Sequence, residues 1–134
     1  MDVKYGCYDL LMTTDQSIAV RGMDCVCYLA KDLSRARGFY EDVLGMVPAT
    51  RGDTWVEYEF TDGSTFALSK LPNGDWYQTG GAMFAVHDLH AALERVRGVG
   101  AHVHSEAVET PVCTMVWCSD LEGNTFALHK RRHV

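Results

Sequence analysis

The chain has 134 residues and a net charge of −6, from 18 acidic and 12 basic side chains. That length suits one packed domain, and 47% hydrophobic residues give it the means to bury a core. The acidic balance argues against nucleic acid as a partner, because phosphate contacts need clustered Lys and Arg. No apolar stretch approaches the roughly 20 residues of a membrane span. The basic run Lys130-Arg131-Arg132 reads as a solvated tail rather than a phosphate site. The opening MDVKYGCYDLLMTTDQ has no basic start followed by an apolar run, so no secretion signal is expected. The cysteines (Cys7, Cys25, Cys27, Cys113 and Cys118) are odd in number and follow no CxxC or finger-like pattern. Reduced thiols in a cytoplasmic protein are the expectation.

Residues 1–21 match no later part of the chain and form an N-terminal extension: a tail, an added strand or an arm on a partner. The run MDCVCYLA (23–30) is apolar and suits a strand. Asp32 follows as a helix N-cap. Leu33, Ala36, Phe39, Tyr40, Val43 and Leu44 then fall on one helical face, which Gly45 ends. Strands are predicted near 46–51, at 54–60 and, after a turn, at 64–69. A linker, Leu71-Pro-Asn-Gly-Asp75, leads to a strand over 81–86. Asp88 caps a helix with Leu89, Ala92, Leu93 and Val96 on one face, and strands are predicted near 101–108, 111–118 and 124–130.

The order strand, helix, three strands has then appeared twice, and the letters repeat with it. DGSTFALSK (62–70) and EGNTFALHK (122–130) agree at six of nine positions. Upstream, YLAKDLSRA (28–36) matches FAVHDLHAA (84–92) more loosely. A repeat of this size means one unit used twice, each copy burying a face against the other. The fold class is therefore α+β, two βαβββ modules in tandem at about 22–70 and about 80–131, within one domain of residues 22–131.

Asp32-Leu33, Phe39-Tyr40, Leu44-Gly45 and the turn Asp120-Leu-Glu-Gly-Asn124 before the last strand carry a resemblance to a known family. The chain resembles the vicinal-oxygen-chelate superfamily of glyoxalase I, extradiol dioxygenases, and fosfomycin- and bleomycin-resistance proteins. The likeness covers about residues 22–131. It implies paired modules whose curved mixed sheets enclose a cavity, often assembled across a homodimer. Metal-dependent members hold a divalent ion with His, Gln or Glu at positions that fall here on Cys25, Ala67, Gly81 and Ala127. Alanine and glycine side chains cannot coordinate, and one thiol makes no stable site for a hard cation. No metal and no other cofactor is expected.

Those positions also say which strand faces line the cavity, because side chains alternate along a strand. Cys25, Cys27 and Leu29 point inward on the first strand, Thr65, Ala67 and Ser69 on the fourth, Met83 and Ala85 on the fifth, and Thr125, Ala127 and His129 on the eighth. The large residues Tyr28, Phe66, Leu68, Phe84, Phe126 and Leu128 fall on the core side. For TWVEYEF (54–60), a two-residue turn at Asp62-Gly63 would bury Glu57 and Glu59 unpaired, at high cost. A three-residue loop, Thr61-Asp62-Gly63, with Gly63 left-handed, instead sends Val56, Tyr58 and Phe60 to the core. It leaves Trp55, Glu57 and Glu59 on the cavity side.

The candidate ligand contacts are thus Cys25, Trp55, Glu57, Glu59, Met83, Trp117 and His129. Indole rings suit flat apolar surface, and two carboxylates suit positive charge. His102, His104 and Glu106 alternate in AHVHSE and so share a face, read as an outward polar face rather than a zinc or nickel site. The reading is a small-molecule-binding protein of the glyoxalase/bleomycin-resistance type, without the metal centre and, as the resemblance implies, homodimeric, that sequesters an aromatic or cationic compound. The alternative is an enzyme of the same superfamily with glyoxalase-, lyase- or dioxygenase-like chemistry. It is either metal-dependent through ligands such as the histidine pair, or metal-free and acid–base through Glu57, Glu59 or His129.

Overall fold

A computed structural model describes residue 20 and residues 22–132. The expected N-terminal extension, Val20 apart, lies outside the described residues. The first strand, β1 (Val26–Leu29), leads into α1 (Leu33–Gly38). The Asp32 carboxylate caps α1 by accepting the Arg35 N–H at 3.1 Å. Past Gly38 the helix widens over Phe39–Val43, where the Leu44 N–H reaches back five residues to the Phe39 carbonyl. Along the predicted face Ala36, Phe39 and Tyr40 are buried, with Leu33, Val43 and Leu44 packed beside them. Gly45 ends the helix at φ 75°, a conformation that a Cβ disfavours.

Next come β2 (Pro48–Arg51), β3 (Trp55–Glu59) and β4 (Thr65–Ser69). The second pass runs β5 (Ala82–Ala85), α2 (Leu89–Gly98), β6 (Val108–Glu109), β7 (Cys113–Ser119) and β8 (Thr125–Arg131). Asp88 caps α2 as Asp32 caps α1, accepting the Ala91 N–H at 2.9 Å. The strands form two four-stranded mixed sheets, ordered β1-β4-β3-β2 and β5-β8-β7-β6. In each, the outer pair β1/β4 or β5/β8 is parallel and the remaining pairs are antiparallel. The tandem βαβββ fold is thus as expected. Among the described residues no helix is long and apolar enough to cross a membrane.

The β3–β4 register is the one that spares the carboxylates. Trp55 pairs with Ser69, Glu57 with Ala67 and Glu59 with Thr65, while Val56 and Tyr58 lie opposite Leu68 and Phe66. The Phe60 N–H closes the hairpin on the Ser64 carbonyl at 2.9 Å, leaving Thr61-Asp62-Gly63 as the loop. Gly63 takes the left-handed conformation at φ 86°.

One predicted strand differs. Over 101–108 the chain makes only a bridge at Val103, opposite Cys118, before β6 pairs Val108 with Met115. Five residues separate Val103 from Val108, but three separate their partners Cys118 and Met115. The surplus bulges out around a bend at Ser105 and breaks the strand in two.

One core serves both units. Phe84 of β5 sits edge-on to Phe66 of β4 at 5.0 Å between centroids, and Phe39 meets Phe126 at 5.9 Å. A polar seam accompanies these rings. The Tyr40 hydroxyl donates to buried Asp120 at 2.8 Å, and the Asn124 amide donates to the Leu29 carbonyl at 3.0 Å. Asn124 Oδ1 accepts the Thr79 N–H at 2.8 Å, and the Tyr28 hydroxyl accepts the Ala82 N–H at 2.9 Å while donating to the Thr125 carbonyl. Glu122 caps the first unit by accepting the Lys31 and Asp32 N–H groups at 2.9 and 2.8 Å. Each polar group of this seam thereby keeps a partner, as burial requires.

Candidate functional site

Alternation leaves each sheet with one buried face and one open face. On the first sheet Tyr28, Val56, Tyr58, Phe66 and Leu68 are buried at 1% exposure or less, which makes the other face the open one. Ladder pairing sets its side chains in rows: Cys27, Ala67, Glu57 and Thr50 across four strands, then Leu29, Ser69 and Trp55. Thr50 Oγ1 donates to Glu57 Oε1 at 3.3 Å, which orients that carboxylate. Glu59 is exposed beside Thr65, and Cys25 is half-buried just before β1.

Trp55 remains 40% exposed, a high value for an indole on a well-ordered sheet. Its position depends on Gly52. A Cβ there would stand 2.6 Å from the indole Nε1, so the missing side chain is what lets the ring lie where it does. The Gly52 N–H also donates to the Trp55 carbonyl at 2.9 Å.

The second sheet repeats this arrangement. Met83, Ala127 and Trp117 form one row, and Ala85, His129 and Met115 the next. Met83 is 45% exposed, and Trp117, Met115 and His129 are half-buried. Burial, with the Arg131 charge second, pulls the His129 imidazole below its usual range. Its Nδ1 is buried without a hydrogen-bond partner among the described residues. Met115 was missing from the expected contacts, although its two-residue spacing from Trp117 already placed it on the same face.

The histidines of AHVHSE are also placed differently from expectation. Val103 turns inward onto the core, so His102 and His104 project from the open face beside Ser119 and Trp117. Reading them as a separate outward surface missed that this segment pairs with β7, a long-range contact that local alternation cannot show. Glu106 lies beyond the bend at Ser105, and among the described residues no group of three or more His, Cys, Asp or Glu is placed to hold a metal ion.

The seven expected contacts therefore fall into two groups. Trp55, Glu57 and Glu59 belong to the first sheet, with Cys25 just before its β1, and Met83, Trp117 and His129 belong to the second. Two open depressions of about 370 Å³ occur elsewhere, one between α1 and Gly52-Asp53 and one along 48–51. Neither includes Trp55, Glu57, Met83 or Trp117. Metal-dependent relatives would place their ion at Cys25, Ala67, Gly81 and Ala127. In this structure Ala67 and Ala127 are buried methyl groups paired across to Cys27 and Met83, so these residues do not fit the ion.

Comparison with known proteins adds three likenesses. The chain is 31% identical over 86 residues to anthracycline biosynthesis protein DauV of Streptomyces sp. (strain C5). That match covers 60% of this chain and 30% of the length of that protein. The fold superposes on TnmS3, an antibiotic binding protein from Streptomyces sp. CB03234, with a TM-score of 0.67 and 19% identity, over 87% of this chain and all of the other. It superposes equally on oxidase ChaP-H2, with a TM-score of 0.67 and 15% identity, over 86% of this chain and 97% of that one. At such identities the structural likeness speaks for the fold. The sequence model of the Glyoxalase/Bleomycin resistance protein/Dioxygenase superfamily matches residues 22–128, and the chain belongs to that superfamily.

Proposed function

We propose that the protein binds a flat aromatic small molecule carrying positive charge and holds it reversibly, without the family's metal centre, in a homodimer. The observation that carries this reading is the open face of the first sheet. It sets a 40% exposed indole, Trp55, two residues from Glu57 and four from Glu59 on the same face. An indole covers a flat ring, and a carboxylate beside it complements a cation. Trp117, Met115 and Met83 give the second sheet a matching apolar wall whose thioethers adapt to irregular ligands.

The two walls belong to different sheets, and exposed Trp55, Met83 and Val108 lie on their open faces. A second copy of the chain would cover both and enclose the ligand. The likeness to an antibiotic binding protein and to an anthracycline biosynthesis protein supports a polycyclic ligand. Among the described residues Cys25, Cys113 and Cys118 carry thiols rather than disulfides, in keeping with a reducing compartment.

The test is a titration of an anthracycline, a flat ring system with an amine, followed by tryptophan fluorescence. Saturable binding with unchanged ligand recovered is expected. Trp55→Ala or Trp117→Ala should weaken it about tenfold or more, as loss of a buried aromatic anchor does. The double change Glu57→Gln/Glu59→Gln should weaken cationic ligands and spare neutral ones. Equal affinity in all these variants, or no binding across a panel of aromatic amines, would overturn the proposal.

A second reading, a metal-free acid–base enzyme, draws on His129, whose imidazole is held below its usual range by burial and so stands without its second proton near pH 7. Turnover that survives chelator and disappears in His129→Gln would favour it over sequestration.

A further inference from the structure

We propose that His102 and His104 form a binding site for an imidazole-preferring divalent cation (Zn²⁺, Ni²⁺ or Cu²⁺) on the open face of the second sheet. The proposal goes beyond the ligand-binding reading and does not depend on it. The two residues are anchored by backbone pairing with β7: the Ser119 N–H donates to the His102 carbonyl and the His104 N–H to the Trp117 carbonyl, each at 2.8 Å. Between them Val103 packs inward, so both imidazoles leave the strand on the same side. Their rings lie 4.4 Å apart between centroids at 81°, edge to face.

An ion at the usual Zn–N distance of about 2.1 Å from two imidazoles sets their centroids about 5 Å apart, close to what is seen, and one ring turns out of the edge-to-face contact to aim its lone pair at the ion. Two ligands on one paired strand also reach the ion with little loss of backbone freedom.

A third group supports this geometry. His104 Nε2 lies 2.5 Å from Oγ of Ser119, a residue only 7% exposed. With Nε2–H donating to that hydroxyl, the tautomer is set and Nδ1 presents its lone pair. Metal-bound histidines are held in this way by an outer hydrogen bond. Imidazole donors select Zn²⁺, Ni²⁺ and Cu²⁺ over Mg²⁺ and Ca²⁺, which want oxygen. The site is separate from the positions of Cys25, Ala67, Gly81 and Ala127. Two strands, β8 and β7, stand between the 102–104 segment and β5, and β7 stands between it and β8. With two protein ligands rather than three or four, the ion keeps positions open to water or to an oxygen of a bound molecule.

The experiment is calorimetric titration of the untagged full chain with Ni²⁺ and Zn²⁺ alone, with no organic ligand, so its outcome is independent of the proposed ligand. One ion per chain is expected. His102→Ala and His104→Ala should each weaken binding about a hundredfold through loss of the chelate, and Ser119→Ala about tenfold through loss of the outer hydrogen bond. Cys25→Ser should change nothing. Cu²⁺ should quench tryptophan emission in the wild type and much less in Trp117→Phe, with the ion still bound. Absence of binding, equal affinity in the double variant His102→Ala/His104→Ala, or loss confined to Cys25→Ser would overturn the proposal.

Discussion

Gly52 is the residue on which the aromatic wall of the first sheet depends. Nothing in the sequence marks it, because its role is to be absent from the space that the Trp55 indole occupies. Gly52→Ala is expected to shift the tryptophan emission and to weaken aromatic ligands about tenfold, with little change in the urea midpoint. A large loss of stability instead would mean that the loop, not the ring, gave way. His129 sets a pH dependence. The folded chain resists a proton that the unfolded chain accepts, so stability falls as pH drops through about 6.5 and levels off below the folded value. Urea midpoints measured from about pH 7.5 to about pH 5 should fall more in the wild type than in His129→Gln. Parallel slopes would show that His129 contributes nothing to the acid loss. Burial pushes the Cys118 thiol up to about 11, with Arg97 opposing, whereas Cys27 is exposed. Brief alkylation of the native protein, mapped by mass spectrometry, should mark Cys27 and spare Cys118.

At the level of elements, the duplicated turn before β4 and β8 shows how two similar stretches diverge in role. Asp62 in the first copy only orders its own turn, accepting from the Ser64 N–H at 3.0 Å. In the second copy Glu122 stands where Asp62 does, and buried Asp120, two residues earlier, accepts from the Tyr40 hydroxyl, from the Asn124 amide and from two backbone N–H groups, and so ties the Phe39–Val43 turn to the turn before β8. Asp120→Ala should cost about 3 kcal/mol, since each buried donor left without an acceptor carries a penalty of about 1–3 kcal/mol. Asp62→Ala should scarcely move the denaturation midpoint. Similar losses from both would show that the seam is not what holds the units together. Gly63, left-handed at φ 86°, admits alanine only at about 1–2 kcal/mol.

For the whole molecule the decisive property is the pair of open sheet faces. A protein that leaves Trp55 at 40% and Met83 at 45% exposure has somewhere to put them. The proposed homodimer predicts a mass near twice that of the chain in light scattering at micromolar concentration. Trp55→Glu/Met83→Glu should give a monomer with unchanged far-ultraviolet dichroism. A wild-type monomer at every concentration would leave both walls uncovered, and the enclosed-ligand reading would fall with it.

The sequence by itself determined the fold, because the information was local and stated twice. Alternation sorted core from open face, Asp32 and Asp88 marked the helix starts, and the cost of burying Glu57 and Glu59 chose the β3–β4 register. Most of the candidate site followed from that same alternation. Tertiary structure alone decided what depends on contacts distant in sequence. These are the pairing of the 102–104 segment with β7 that carries two histidines onto the open face, the bulge that splits the sixth strand, the room that Gly52 leaves for Trp55, and the Tyr40–Asp120 seam between the units. Periodicity reports which way a side chain points along its own strand. Which strand lies beside it is settled by packing, and the chemistry of a site is the sum of neighbours that only packing supplies.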